Sequence, residues 1–171
     1  MSNTTPATTE PRTDSVWDIV ARERRRLAGE LQQLTSQQWA MASQCDRWDI
    51  RHCAAHLLLP FEYSTPRFLV GLAASGFRFD AFAVKATARI AATHSNAAII
   101  QGLRDHAENR WTPPGPKLGP EIPLCEILVH GQDIRRPLGV PCPVPAEHIE
   151  QALAAIRNSK MRDDFRRRIS G

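Results

Sequence analysis

Apolar residues in this chain recur at three- and four-residue spacing, and nowhere do they run in convincing strand-like alternation. Ile50, Cys53, Ala54, Leu57, Leu58 and Phe61 give the cleanest case, a stripe at i, i+3, i+4, i+7, i+8 and i+11. That period places one face of a helix against a core. Asp49, immediately before the stripe, is a good N-cap, and Pro60 or Pro66 should kink or end the helix.

The same reading runs along the chain. Ser15 followed by Asp18 reads as a capping box. Val16, Ile19, Val20, Leu27, Leu31 and Leu34 then predict a first helix over about 16–34, with arginines opposite. A short turn around 37–41 lies in the connection to the second helix. Trp39 and Trp48 are apolar anchors there. Gly71 and Gly76 mark a break, and Asp80 can cap a third, Ala-rich helix through Ile90. Near 93–96 this helix either breaks or continues into 97–109. Residues 111–120, WTPPGPKLGP, hold four prolines and two glycines and predict a loop. They lack the GxxxxGK[ST] order of a phosphate loop. A fourth main helix is expected over about 122–136, stopped by Pro137 and Gly139. Ile149, Leu153 and Ile156 support a fifth. Four main helices with short connections argue an all-α four-helix bundle with an additional C-terminal helix.

Length and composition set the limits. The 171 residues suffice for one domain with a real core, so neither disulfides nor a metal is needed merely to fold. Residues 1–14 are Thr- and Pro-rich with no apolar centre, and are expected to be a disordered leader rather than a signal peptide. The bundle is placed at 15–160 and a basic tail at 161–171. No apolar run is long enough to span a membrane. With no export signal in view, a cytoplasmic location is expected. The net charge of +4 is too mild to require nucleic acid. Its basic residues cluster at Arg22, Arg24, Arg25 and Arg26, and again at Arg157, Lys160, Arg162, Arg166, Arg167 and Arg168. Both clusters are most simply solvated helix faces. The four cysteines, Cys45, Cys53, Cys125 and Cys142, show no CxxC spacing. Cys53 and Cys125 sit in apolar helical patterns and read as small buried hydrophobes.

Two pairs carry chemistry: His52 with His56 on the second helix, and Glu126 with His130 on the fourth. Residues four apart on a helix differ by roughly 40° and about 6 Å of rise, so their side chains can converge on one ion. Imidazole nitrogen and carboxylate oxygen suit Zn²⁺ and other first-row divalent metals. Periodicity pulls the other way. His56 lies about 120° from the centre of its helix's apolar stripe. Glu126 and His130 lie away from Leu124, Ile127 and Leu128. Solvated faces and a shared metal site both remain open on the pattern.

The motifs WDIRHCAAHLL at 48–58 and PLCEILVHGQDIRRPLG at 123–139 resemble the two signatures of the mycothiol-dependent maleylpyruvate isomerase family, whose N-terminal metal-binding domain belongs to the DinB-like bundle superfamily. Gln38 and Trp39 after the first helix fit as well. The resemblance covers about 16–157. It implies a DinB-like antiparallel four-helix bundle. It also implies a divalent metal, typically zinc, held by His56, Glu126 and His130, with mycothiol at the open position. Three protein ligands with a free position are the mark of a catalytic rather than a structural zinc site.

Two departures from the family follow. His52 stands where the family often has Asp. That change removes a carboxylate beside the ligands or adds a fourth ligand, although a first-turn position favours water. Family members usually continue into a C-terminal region with substrate-binding groups, including an arginine, and none of Arg162, Arg166, Arg167 or Arg168 sits in a matching motif. The resemblance therefore implies the metal site more strongly than maleylpyruvate isomerisation, for which low turnover is expected. Asp133 is placed either to accept a hydrogen bond from a ligand imidazole or to pair with Arg135 or Arg136. His94, His106 and His148 read as surface residues, and Trp111 could roof a site.

The function implied is a metal-dependent, mycothiol-using enzyme, an isomerase or S-transferase acting on a small electrophile, with no nucleic acid or membrane partner. The alternatives are a bundle binding metal or a small ligand without turnover, and a basic helical module for anionic partners.

Overall fold

A computed structural model describes residues 15–46, 48–112 and 119–158, with side chains up to residue 153. The expected leader at 1–14, the tail at 161–171 and the side chains of the second basic cluster lie outside the described residues. So does 113–118 of the Pro-rich loop. Among the described residues the chain forms nine helices and no strand beyond one isolated bridge, Ala42 with Asp49.

Side-chain capping sets four of the starts. Helix α1, Val16–Leu31, opens on the Ser15–Asp18 capping box. Its end falls a turn short of Leu34, which packs against the core from the connection. Helix α2, Ser36–Trp39, opens on a second box, Thr35 with Gln38, and buries Trp39. Asp49 caps α3, Ile50–His56, accepting the His52 N–H at 2.7 Å. Pro60 decides where α3 stops. It has no N–H for the His56 carbonyl, and its ring crowds that carbonyl. The chain restarts as α4, Leu59–Glu62, with Pro60 in its first turn.

Two expectations about the middle of the chain need correction. Gly71 lies inside α5, Thr65–Ala74, and marks no break. The break falls at Gly76 and Phe77, both at positive φ (64° and 59°). Asp80 is not a cap; α6, Phe79–Thr93, begins before it, and its carboxylate sits in the first turn. There it complements the positive end of the helix dipole. The α6 helix does break near Thr93, where Ser95 caps α7, Asn96–Asp105, accepting the Ala98 N–H at 3.1 Å. Helices α8, Glu121–Arg135, and α9, Ala146–Asn158, complete the order.

Helix α3 is central. It packs against α6, α7 and α8, while α1 covers α7 and α8, and α9 lies on α8. Ile50, Cys53, Ala54 and Ala55 are fully buried, so α3 has almost no outer face. Arg51 fixes it lengthwise, donating to the carbonyls of Ala91 (2.9 Å) and His94 (2.5 Å) at the end of α6.

Arg24 departs from the solvated-face reading, and Arg135, outside both basic clusters, is buried as well. Arg24 is buried and donates to the carbonyls of His106, Ala107 and Asn109 just beyond α7. Burial lowers its pKa to about 10. Arg135, 2% exposed, bonds Glu30 at 2.6 Å and faces Glu23 at 3.6 Å. Arg25 and Arg26 match the exposed reading, paired with Glu108 and Glu30.

Candidate metal centre

The last residue of α3 and the middle of α8 meet at one carboxylate oxygen. His56 Nε2 and His130 Nε2 each lie 3.3 Å from Glu126 Oε2. The two imidazoles meet edge to face, with centroids 4.9 Å apart. The outer-face placement suggested by periodicity is corrected for both histidines, whose side chains are only 11% and 15% exposed. A helix packed on several sides buries residues off its main stripe, and α3 and α8 are both packed in that way. Glu126 keeps 39% of its side chain exposed and opens the site to solvent.

The far nitrogens of both rings are engaged. His56 Nδ1 is 3.0 Å from Thr87 Oγ1 on α6. His130 Nδ1 is 3.0 Å from Asp133 Oδ2, one turn further along α8. Of the two readings open for Asp133, the structure thus shows the imidazole partner, while Arg135 turns to Glu30. Partners on Nδ1 aim each Nε2 at the common centre, the usual arrangement behind a metal-bound histidine.

Trp48 lies over the site, its ring 4.8 Å from that of His56 and 6.1 Å from that of His130. Backbone bonds of Ser43 and Gln44 hold it there. Ser43 N–H donates to the Trp48 carbonyl at 3.0 Å, and Gln44 N–H donates to the Asp133 carbonyl at 3.0 Å. The indole beside the site is thus that of Trp48, the first residue of the first signature.

The charges are strongly coupled. Loss of water around Glu126 would raise its pKa, but hydrogen bonds and charges from His130 and His56 outweigh this and hold it well below the usual carboxylate range. Burial opposes the charge on His130, yet hydrogen bonds with Asp133, Cys53 and Glu126 push its pKa up to about 12.

The donor set fits a divalent ion. Tetrahedral ligands at about 2.0–2.1 Å from zinc stand about 3.3–3.4 Å from one another. The two 3.3 Å nitrogen–oxygen separations match that edge. They are longer than the roughly 2.7–2.9 Å of a charge-assisted hydrogen bond. A second grouping, Cys45 with His130 and Asp133, also has ligand atoms within 4.8 Å of one another. There, however, Asp133 is already engaged by His130 Nδ1.

The remaining candidates fall outside the cluster. His52 bonds Asp49 through Nδ1 at 2.6 Å and keeps 35% of its side chain exposed. Cys53 is fully buried, its sulfur 3.7 Å from the His130 carbonyl, and burial raises its thiol pKa. Burial also raises Cys125, to about 11. Neither environment favours a nucleophilic thiolate. His94 pairs with Glu62 at 3.1 Å, and His106 stacks on Phe61. His148 is not a surface side chain: it is 12% exposed, and its buried Nδ1 has no hydrogen-bond partner among the described residues.

Thr87, Trp48 and Cys45 were not picked out as site residues by sequence. Thr87 did leave a trace. It falls on the buried stripe of Phe82, Ala83, Ala86, Ile90 and Ala91, where a hydroxyl needs a partner.

Against known proteins, residues 20–135 match the family of the mycothiol maleylpyruvate isomerase N-terminal domain. The chain belongs to this family. It is thus a helical domain of a mycothiol-related, metal-binding family, and the all-α fold agrees with that membership. Neither the curated proteins nor the solved structures searched give a match. The first signature lies entirely inside the matched span and the second up to Arg135. Among the described residues no helix is long and apolar enough to cross a membrane.

Proposed function

We propose that this protein binds one divalent metal ion, zinc by the chemistry of its donors, through His56, Glu126 and His130, and uses it to handle mycothiol. The observation that carries the reading is the pair of Nε2 atoms at 3.3 Å from one carboxylate oxygen, each ring held from behind by Thr87 or Asp133. Two nitrogens and one oxygen leave a position for an exogenous ligand. A bound ion would lower the pKa of a mycothiol sulfhydryl and supply a thiolate at neutral pH.

The chain's own residues define the rest. Glu126 contributes the one negative charge among the three ligands. Asp133 accepts the His130 Nδ1 proton and so fixes the tautomer that presents a lone pair at Nε2. Trp48 covers one side of the imidazoles and limits water there. The reaction favoured is addition of the thiolate to a small electrophile, as an isomerisation or an S-transfer, in a cytoplasmic setting where mycothiol is reduced.

Calorimetry of mycothiol binding to zinc-loaded protein, in two buffers of different ionisation enthalpy, tests this. Binding with release of a proton to the buffer is expected, because the bound sulfur is a thiolate. Zinc binding without mycothiol binding would move the assignment to a metal-binding bundle without thiol chemistry.

A further inference from the structure

A second concave site lies on another face of α6. A cavity of about 330 Å³ opens between α5 and α6, floored by Phe82 and Ala86 and flanked by Tyr63. Phe82 and Ala86 are each 3% exposed, so the floor is part of the core. Gly71 is what lets α5 sit so close: a Cβ there would stand 2.5 Å from Phe82 Cε2. The size lies at the lower end of the roughly 300–1,000 Å³ of small-molecule sites.

The rim is cationic and unbalanced. Arg67, Lys85 and Arg89 line the cavity, and no acidic residue does. Among the described residues none of the three makes an ion pair; Arg67 lies over the Tyr63 ring, its guanidinium carbon 5.2 Å from the centroid. By contrast, Arg25, Arg26 and Arg135 each have a carboxylate partner. Three unpaired positive groups around an apolar, aromatic floor form a complementary surface for one class of ligand.

The geometry points to a binding site for a small amphipathic organic anion. Its acidic group, carboxylate or phosphate, lies among Arg67, Lys85 and Arg89, and its apolar body rests on Phe82 and Ala86 beside Tyr63. This site is separate from the metal centre. Ala86 lines it while the next residue, Thr87, bonds His56, and consecutive residues on a helix point about 100° apart.

The full chain, titrated with 1-naphthyl phosphate, 1-naphthoate and 1-naphthalenemethanol under amide-resolved NMR, tests the assignment. Both anions should shift the Gly71 and Ala86 amides and saturate, and the stronger of the two identifies the preferred acidic group. The neutral alcohol should bind on the order of tenfold more weakly, and so should either anion to the Lys85→Glu/Arg89→Glu protein, the reach of two exposed charge contacts. Affinity should fall with added salt and be the same in chelator as in saturating zinc. Equal binding of the alcohol, undiminished binding after charge reversal, shifts centred on Trp48 and His130, or no saturable binding at millimolar concentration would each overturn the proposal.

Discussion

His56 and His130 present the same ring nitrogen, Nε2, to the same oxygen of Glu126, although they come from different helices. Each has its other nitrogen occupied, by Thr87 and by Asp133. Two histidines held in this way should act as a unit with Glu126.

His130→Ala and His56→Ala should therefore each abolish stoichiometric zinc binding, whereas His52→Ala should leave it nearly intact. Elemental analysis of the three purified variants after zinc loading checks this. The contrast follows from His52 being turned to Asp49 and solvent.

Removing a partner behind the ligands should weaken rather than abolish binding. Asp133→Asn and Thr87→Val should each lower zinc affinity by about 10–100-fold. Competition with a chromophoric chelator gives the affinities, and circular dichroism should show helicity retained.

The titrating groups predict opposite pH trends for metal-free stability and metal affinity. His130 is raised above its ordinary 6.5, so its contribution to metal-free stability is full below that pH and is lost as pH rises toward the raised value. Glu126 is depressed below its ordinary 4.5, so its contribution is present above that pH and is lost as pH falls toward the lowered value. In chelator the pair should thus stabilise most between about pH 4.5 and 6.5, with its contribution declining above. Zinc affinity should instead rise across that upper range, because protons leave the ligands. Thermal melts in chelator and zinc titrations over the same pH series test both, and His130→Ala should flatten the pair's alkaline trend.

Arg24 supports the fold rather than the site. Arg24→Met keeps the apolar stem but leaves the carbonyls of His106, Ala107 and Asn109 without their shared donor. A loss of about 2–4 kcal/mol is expected in urea unfolding, from buried acceptors left unmatched.

What could be read from sequence was mainly local. The capping pairs Ser15–Asp18 and the Asp49 cap place helix starts, and Pro60 places the end of α3. Each acts within four residues. The misread features are tertiary. Gly71 is a close-approach residue for Phe82, a partner on the next helix. Arg24 looks like a member of a charged face until its distant carbonyl partners are seen. The same cause hid the burial of His56 and His130. A wheel sees one apolar stripe, while α3 is enclosed by α6, α7 and α8. The ligand trio itself came from the two signatures, since no spacing within one helix could pair His56 with Glu126. Thr87 and Cys45 belong to no recognised motif.

Zinc-edge X-ray absorption of the protein loaded with one equivalent of zinc, without added thiol, tests the central claim most directly. The account predicts a nitrogen/oxygen shell at about 2.0–2.1 Å with the multiple scattering of two imidazoles and no sulfur. A sulfur scatterer at about 2.3 Å, or a single imidazole, would place the ion with Cys45 and Asp133 or elsewhere, and would contradict it.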